Sequence, residues 1–96
     1  MNLIWTENAE ETFYEILLYI STEFSERNAQ KFYDESHKML ERIALEPYLF
    51  SVSEKKSIRK AVIHKYTTLF YFVDTETDTI YLFSFFDTRQ NPNKKP

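Results

Sequence analysis

The sequence predicts an α+β domain: an N-terminal strand, an α-helical hairpin, then three strands of a mainly antiparallel sheet, in the order β-α-α-β-β-β. Three observations carry this. Residues 58–89 hold two strongly β-prone apolar runs, Thr67–Asp74 and Thr79–Asp87, joined by a polar, acidic turn and preceded by a basic run, Ser57–Tyr66. Residues 7–45 instead repeat their apolar side chains at helical spacing, with one interruption. And 96 residues make one domain, long enough to bury a core without staples.

In chain order, Asn2–Trp5 reads as a short first strand. Thr6 follows as an N-cap, with Glu7, Glu10 and Glu11 in the first turns, where the helix dipole favours negative charge. Ala9, Phe13, Ile16, Leu17, Ile20 and Phe24 form one stripe, which predicts a helix over about 7–23. Ser25 caps a second helix over about 26–45, with Ala29, Phe32, Tyr33, Ser36, Met39, Leu40 and Ile43 on its apolar face. Pro47 ends it, because the residue before a proline avoids the α region. So short a link makes the two helices an antiparallel hairpin. Residues 47–54 form a loop whose aromatics can fold back on the core. The tail, residues 90–96, has no apolar side chain except proline and is expected to be mobile.

The strands carry apolar residues on both faces. Strict alternation puts Ile80, Leu82 and Phe86 on one side and Tyr81, Phe83 and Phe85 on the other; Leu69, Tyr71 and Val73 likewise oppose Phe70 and Phe72. The hairpin covers one face. The second face calls for a further cover: a tail, a twin subunit or a partner.

Composition narrows the functions. Without cysteine there are no disulfides, thiolate zinc sites or cysteine nucleophile, which fits a reducing compartment. Without glycine there is no phosphate-cradling loop, and every turn must use Asp, Asn, Ser, Thr or Pro. No apolar run approaches membrane-spanning length and no secretory leader is visible, so a cytoplasmic protein is expected. The net charge of −3 divides unevenly: residues 1–53 hold four Lys/Arg and ten Asp/Glu, and residues 54–96 hold eight and five. An acidic hairpin therefore faces a basic sheet.

Four groups invite chemistry. Asp74, Glu76 and Asp78 alternate like the start of a calcium loop, but Thr79 and Phe85 replace the glycine and the closing carboxylate such a loop needs, leaving a solvated turn. His37 shares a helix face with Asp34 and Glu41, too few convergent ligands for a metal. Neither group implies a metal or cofactor. Arg59, Lys60, His64 and Lys65 cluster on one strand. Alternation pairs Arg59 and Lys65 with Ala61 and Ile63, and Lys60 and His64 with Val62. The cluster can hold phosphate and move protons, or serve as a basic edge that discourages aggregation. Arg89 either projects into a cleft at a strand end or pairs locally with Asp87; the pattern leaves both open.

These residues resemble the RelE/ParE family of bacterial type II toxin–antitoxin toxins. Ile4-Trp-Thr-Glu-Asn-Ala9-Glu-Glu resembles the family's opening strand and helix start, and Ile16-Leu-Leu-Tyr19-Ile its first-helix pattern. Residues 58–71, from Ile58-Arg59 through Tyr66 to Tyr71, resemble the arginine-led strand, tyrosine and next strand. Residues 82–92, with Asp87, Arg89 and Pro92, resemble the last strand, closing arginine and proline. The set spans nearly the whole chain in consistent order.

The resemblance implies a toxin neutralised by an antitoxin encoded beside it, with Tyr71, Tyr81, Phe83 and Phe85 as the expected antitoxin surface. It implies no cofactor. RelE-like members cleave mRNA in the ribosome without metal; ParE-like members share the fold and inhibit DNA gyrase. Lys60 falls where a nuclease lysine can sit, and Arg89 matches the closing arginine. Thr67 stands where active nucleases carry an arginine, and the tail has no tyrosine or histidine. Each charged group lost from such a site costs roughly 3 kcal/mol of transition-state stabilisation. These departures favour the ParE side, a toxin that acts by binding gyrase through Arg59, Lys60, Lys65, Arg89, Lys94 and Lys95. The alternatives are a ribosome-dependent endoribonuclease using Lys60, His64, Lys65 and Arg89, and a non-toxic member that only binds antitoxin. A homodimer and a toxin–antitoxin heterotetramer are both compatible assemblies.

Overall fold

In the computed structural model, which describes residues 1–52 and 57–90, the elements run β1 (Asn2–Trp5), α1 (Glu7–Glu23), α2 (Glu26–Leu45), β2 (Ile58–His64), β3 (Thr67–Asp74) and β4 (Thr79–Asp87). The expected N-caps form. Thr6 Oγ1 accepts from the Ala9 amide at 3.1 Å, and Ser25 Oγ from the Asn28 amide at 3.0 Å. The tail positions Lys94 and Lys95 lie outside the described residues.

The sheet has four strands in the order β1-β4-β3-β2. β2, β3 and β4 are the expected antiparallel meander, while β1 lies parallel beside β4, so the sheet is mixed. One sheet face receives Ala9, Phe13, Ile16 and Ile20 of α1 and Ala29, Phe32, Leu40 and Ile43 of α2, all buried. From the sheet they meet Ala61, Leu69, Tyr71, Ile80, Leu82 and Phe85. Phe13 is the centre of this layer, with ring centroids 5.3 Å from Trp5, 5.4 Å from Phe32 and 5.1 Å from Phe85.

Two β-bulges overturn the simple alternation. In β4, Phe70 pairs with Ser84 but Tyr71 pairs with Leu82, so Phe83 is an extra residue. Such an insertion reverses the side-chain phase of everything beyond it. Phe85 therefore joins Ile80 and Leu82 in the core, and Phe86 turns to the outer face with Val62 and Thr68. Tyr71 and Phe85, both expected on a partner-facing surface, are buried under the helices; Tyr81 is half-buried on the outer face and Phe83 is 50% exposed. The second bulge lies between Val62 and His64. It places His64 on the helix side, against Phe32, at a centroid distance of 6.2 Å. The expected pairing of His64 with Lys60 and Val62 on one face does not occur.

The β4 bulge begins where β1 ends, at the Trp5–Leu82 pair. From there α1 supplies the missing partners. Thr6 Oγ1 donates to the Leu82 carbonyl at 2.7 Å, Asn8 Nδ2 to the Phe83 carbonyl at 3.1 Å, and the Phe85 amide donates to Thr12 Oγ1 at 2.9 Å. Backbone groups at a buried edge must find such partners. Thr12→Val keeps the shape but strands the Phe85 amide, and is expected to cost about 1–3 kcal/mol in a urea denaturation curve. A loss below about 0.5 kcal/mol would show that water replaces the hydroxyl.

The glycine-free β3–β4 turn forms with Asp78 in the left-handed region at φ 56°, where aspartate is tolerated better than most residues. The Glu76 amide donates to Asp74 Oδ1 at 3.0 Å. The loop after α2 is fastened to the sheet by two side chains: Tyr71 donates to the Pro47 carbonyl at 2.7 Å and Arg59 to the Phe50 carbonyl at 2.6 Å. No helix among the described residues is long and apolar enough to cross a membrane.

Candidate functional site

The residues suspected from the sequence divide among three places. At the β2–β3 turn end of the sheet, His64, Lys65, Tyr66 and Arg89 line a cleft of about 500 Å³ with Phe24 and Phe32 of the hairpin. Lys60 is elsewhere: it pairs in register with Phe70 and is exposed on the outer face. Arg59 lies five residues before His64, roughly 16 Å away along the strand, with its guanidinium on the loop carbonyls and 5.1 Å above the Tyr48 ring.

Within the cleft the groups hold one another. Arg89 and Asp87 form a two-pronged pair, Nε to Oδ1 at 3.1 Å and Nη2 to Oδ2 at 2.7 Å. The Arg89 amide also donates to Oδ1, at 2.9 Å. The local pair left open by the sequence is thus formed. The guanidinium lies 4.5 Å from the Tyr66 ring centroid and 5.6 Å from that of Phe24, and Tyr19 Oη donates to the Arg89 carbonyl at 3.2 Å. Stacking on aromatic faces suits a planar guanidinium. Lys65 is exposed, with Nζ 5.0 Å from the Tyr66 centroid.

Asp87 passes the network inward. Thr67, fully buried, donates from Oγ1 to Asp87 Oδ2 at 2.6 Å and is 3.2 Å from His64 Nε2. The Tyr66 amide donates to His64 Nδ1 at 3.3 Å. Since Nδ1 accepts, the neutral ring carries its proton on Nε2, which donates to Thr67. Both nitrogens are therefore occupied, and a second proton on Nδ1 would oppose the Tyr66 amide. Burial lowers the His64 pKa, and the Arg89 charge lowers it further, against weaker opposing effects of Asp87 and Glu35. Burial raises the Asp87 pKa, but hydrogen bonds from Arg89 and Thr67 outweigh it and hold the carboxyl below its ordinary value.

Proton binding at His64 therefore opposes folding. Its folded pKa lies below the unfolded value near 6.5, so the unfolded chain binds the extra proton first. The stabilisation is complete above that value and is lost as pH falls through it toward the folded pKa. Wild-type stability is expected to decline between about pH 7 and pH 5, with a shallower slope in His64→Gln. Equal slopes for the two proteins would contradict this arrangement.

The sequence pattern alone does not mark Thr67, Asp87, Tyr19 and Phe24 as site residues, although it shows Asp87 as a partner for Arg89. In the sequence Thr67 stands out only as the position where the family's nucleases carry an arginine, with no sign of its bond to Asp87, and Tyr19 and Phe24 reach the cleft only through helix packing. Among the described residues no group of three or more His, Cys, Asp or Glu converges as metal ligands.

The family model for the "ParE toxin of type II toxin-antitoxin system, parDE" matches residues 3–92. The chain belongs to this family. Solved structures agree in fold. A chain of the chromosomal ParDE toxin–antitoxin system from P. aeruginosa superposes with a TM-score of 0.76 at 14% identity, over 91% of this chain and 95% of that one. A copper-bound mutant toxin from Helicobacter pylori gives 0.65 at 14% identity, over 95% and 98%. No curated protein matches. As a ParE-family toxin, the chain is one component of a type II module, and the parDE assignment implies a cognate ParD antitoxin. In this ParE-family chain the closing arginine belongs to a structural network, and Thr67 gives the cleft no cation.

Proposed function

We propose that this ParE-family toxin acts in the cytoplasm by binding and inhibiting DNA gyrase, and that its antitoxin prevents this. One observation carries the preference for binding over RNA cleavage: among the described residues, Lys65 shares a cleft with His64 and Arg89, but the other groups expected of a nuclease are paired, engaged or placed elsewhere. Arg89 is paired with Asp87, both His64 nitrogens are engaged, and Lys60 is on the other face. Phosphoryl transfer depends on unpaired cations aimed at the developing charge together with a positioned base. A binding surface needs only complementary shape and charge, which the exposed Lys60 and Lys65 supply.

The antitoxin surface proposed here keeps Tyr81 and Phe83 and replaces Tyr71 and Phe85 with Phe70 and Phe72. These lie on the sheet face that the hairpin leaves uncovered, where the Phe72 and Tyr81 ring centroids are 6.4 Å apart.

The experiment is gyrase supercoiling of relaxed plasmid with the purified toxin, beside a ribosomal translation reaction in which mRNA is followed. Inhibited supercoiling, relieved by excess antitoxin, with intact mRNA is the expected result. Lys60→Ala and Lys65→Ala together should weaken inhibition without unfolding the protein, since both side chains are exposed. Folded toxin that leaves supercoiling untouched overturns the reading, and cleaved mRNA replaces it with the nuclease.

A further inference from the structure

On the solvent side of the hairpin, two clefts share the rings of Tyr14 and Tyr33. One, of about 450 Å³, runs between α1 and α2 along Leu17, Leu18 and Ala29. The other, of about 350 Å³, has Trp5, Phe13, Tyr14, Tyr33 and His37 as walls and Glu10 at its side. Tyr14 is 61% and Leu18 68% exposed, four residues apart on one face of α1. A helix face that met only water would carry charged residues here.

The smaller cleft is an aromatic box with a carboxylate. His37 is stacked on Tyr33 at 4.1 Å and is 6.3 Å from Trp5. Its Nδ1–H donates to the Tyr33 carbonyl at 2.9 Å, which holds the ring in place. The π faces of tryptophan and tyrosine are negative, and Glu10 adds a full charge. Among the described residues, no lysine or arginine lines either cleft and Glu10 has no ion pair. Glu26 adds a second carboxylate along the larger cleft. Together with the negative N-terminal half, this makes the whole groove complementary to a basic, amphipathic segment.

We propose that the box formed by Trp5, Tyr14, Tyr33 and Glu10 receives an arginine side chain from a partner protein, whose apolar residues continue into the cleft between α1 and α2. Arginine fits better than lysine because its planar guanidinium can stack on the rings while its fork meets Glu10. This surface is distinct from the outer sheet face, and the proposal does not depend on the gyrase reading.

Trp5 is the only tryptophan in the chain, so its emission reports the box directly. The full-length toxin is titrated with N-acetyl-arginine methylamide and, separately, with the uncharged citrulline analogue. Saturable change is expected with the first and not with the second. Glu10→Gln, a surface substitution, should weaken binding about fivefold. A capped helical peptide carrying one arginine and, two turns further on, two leucines should bind at least about tenfold tighter than the single residue. An equal response to the citrulline analogue, an unchanged Glu10→Gln titration, or no gain from the leucines would each overturn the proposal. A toxin that passes this test and fails the supercoiling assay retains the arginine site and loses only the gyrase reading.

Discussion

Arg89→Ala is expected to destabilise the toxin by about 3–5 kcal/mol, more than Asp87→Ala at about 2–3 kcal/mol, although the two residues make the same ion pair. The asymmetry follows from burial. The Asp87 side chain has no exposed area and that of Arg89 is 22% exposed. Removing the arginine leaves a buried carboxylate with only Thr67 and one amide as donors. Removing the carboxylate frees a guanidinium that can reach water, and the loss is confined to the stranded Thr67 hydroxyl and Arg89 amide. The double substitution should cost less than the two singles added together. Urea melts of all four proteins measure this, and equal single losses with full additivity would mean that Asp87 and Arg89 act independently. Acid offers a second reading. The folded Asp87 pKa lies below its unfolded value, so its contribution is complete above about pH 4 and fades as pH falls toward the folded pKa. The acid limb should shrink in Asp87→Asn.

Three phenylalanines of β4, Phe83, Phe85 and Phe86, supply the second large effect. Phe85→Ala is expected to cost about 3–5 kcal/mol, because it opens a cavity beside Phe13, Trp5 and Leu69. Phe86→Ala, half-buried on the outer face, should cost roughly 1–2 kcal/mol, and Phe83→Ala less than about 1 kcal/mol. Strict alternation from Ile80 and Leu82 gives the opposite ranking, with Phe86 in the core. Denaturation of the three variants therefore tests the bulge itself, and a larger loss for Phe86 than for Phe85 would place it wrongly.

The residues differ in how far their roles could be read before folding. Thr6 and Ser25 cap their helices through contacts three residues away, and Phe13, Ile16 and Ile20 declare their face by local spacing. The Asp87–Arg89 pair is also local, two residues apart, and is one of the two arrangements the sequence pattern allows. Alternation alone puts Tyr71 and Phe85 at the surface and His64 beside Lys60, whereas the structure buries the first two and turns His64 toward the helices. Each of these depends on strand register or on a bulge, which one strand does not record.

What the sequence determined by itself was therefore the set of elements, their order and their caps, because helix periodicity, N-cap chemistry and turn composition act over a few neighbouring residues. It also carried the family, through motifs spread from Ile4 to Pro92. Only the tertiary structure decided which aromatics face the helices and whether the site cations are free. Those outcomes rest on contacts between residues far apart in the chain: Thr12 with Phe85, Thr67 with Asp87, and Tyr19 with the Arg89 carbonyl. A single inserted residue at Phe83 reverses the phase of the strand beyond it, and the hydroxyl that satisfies that strand comes from a helix more than seventy residues earlier.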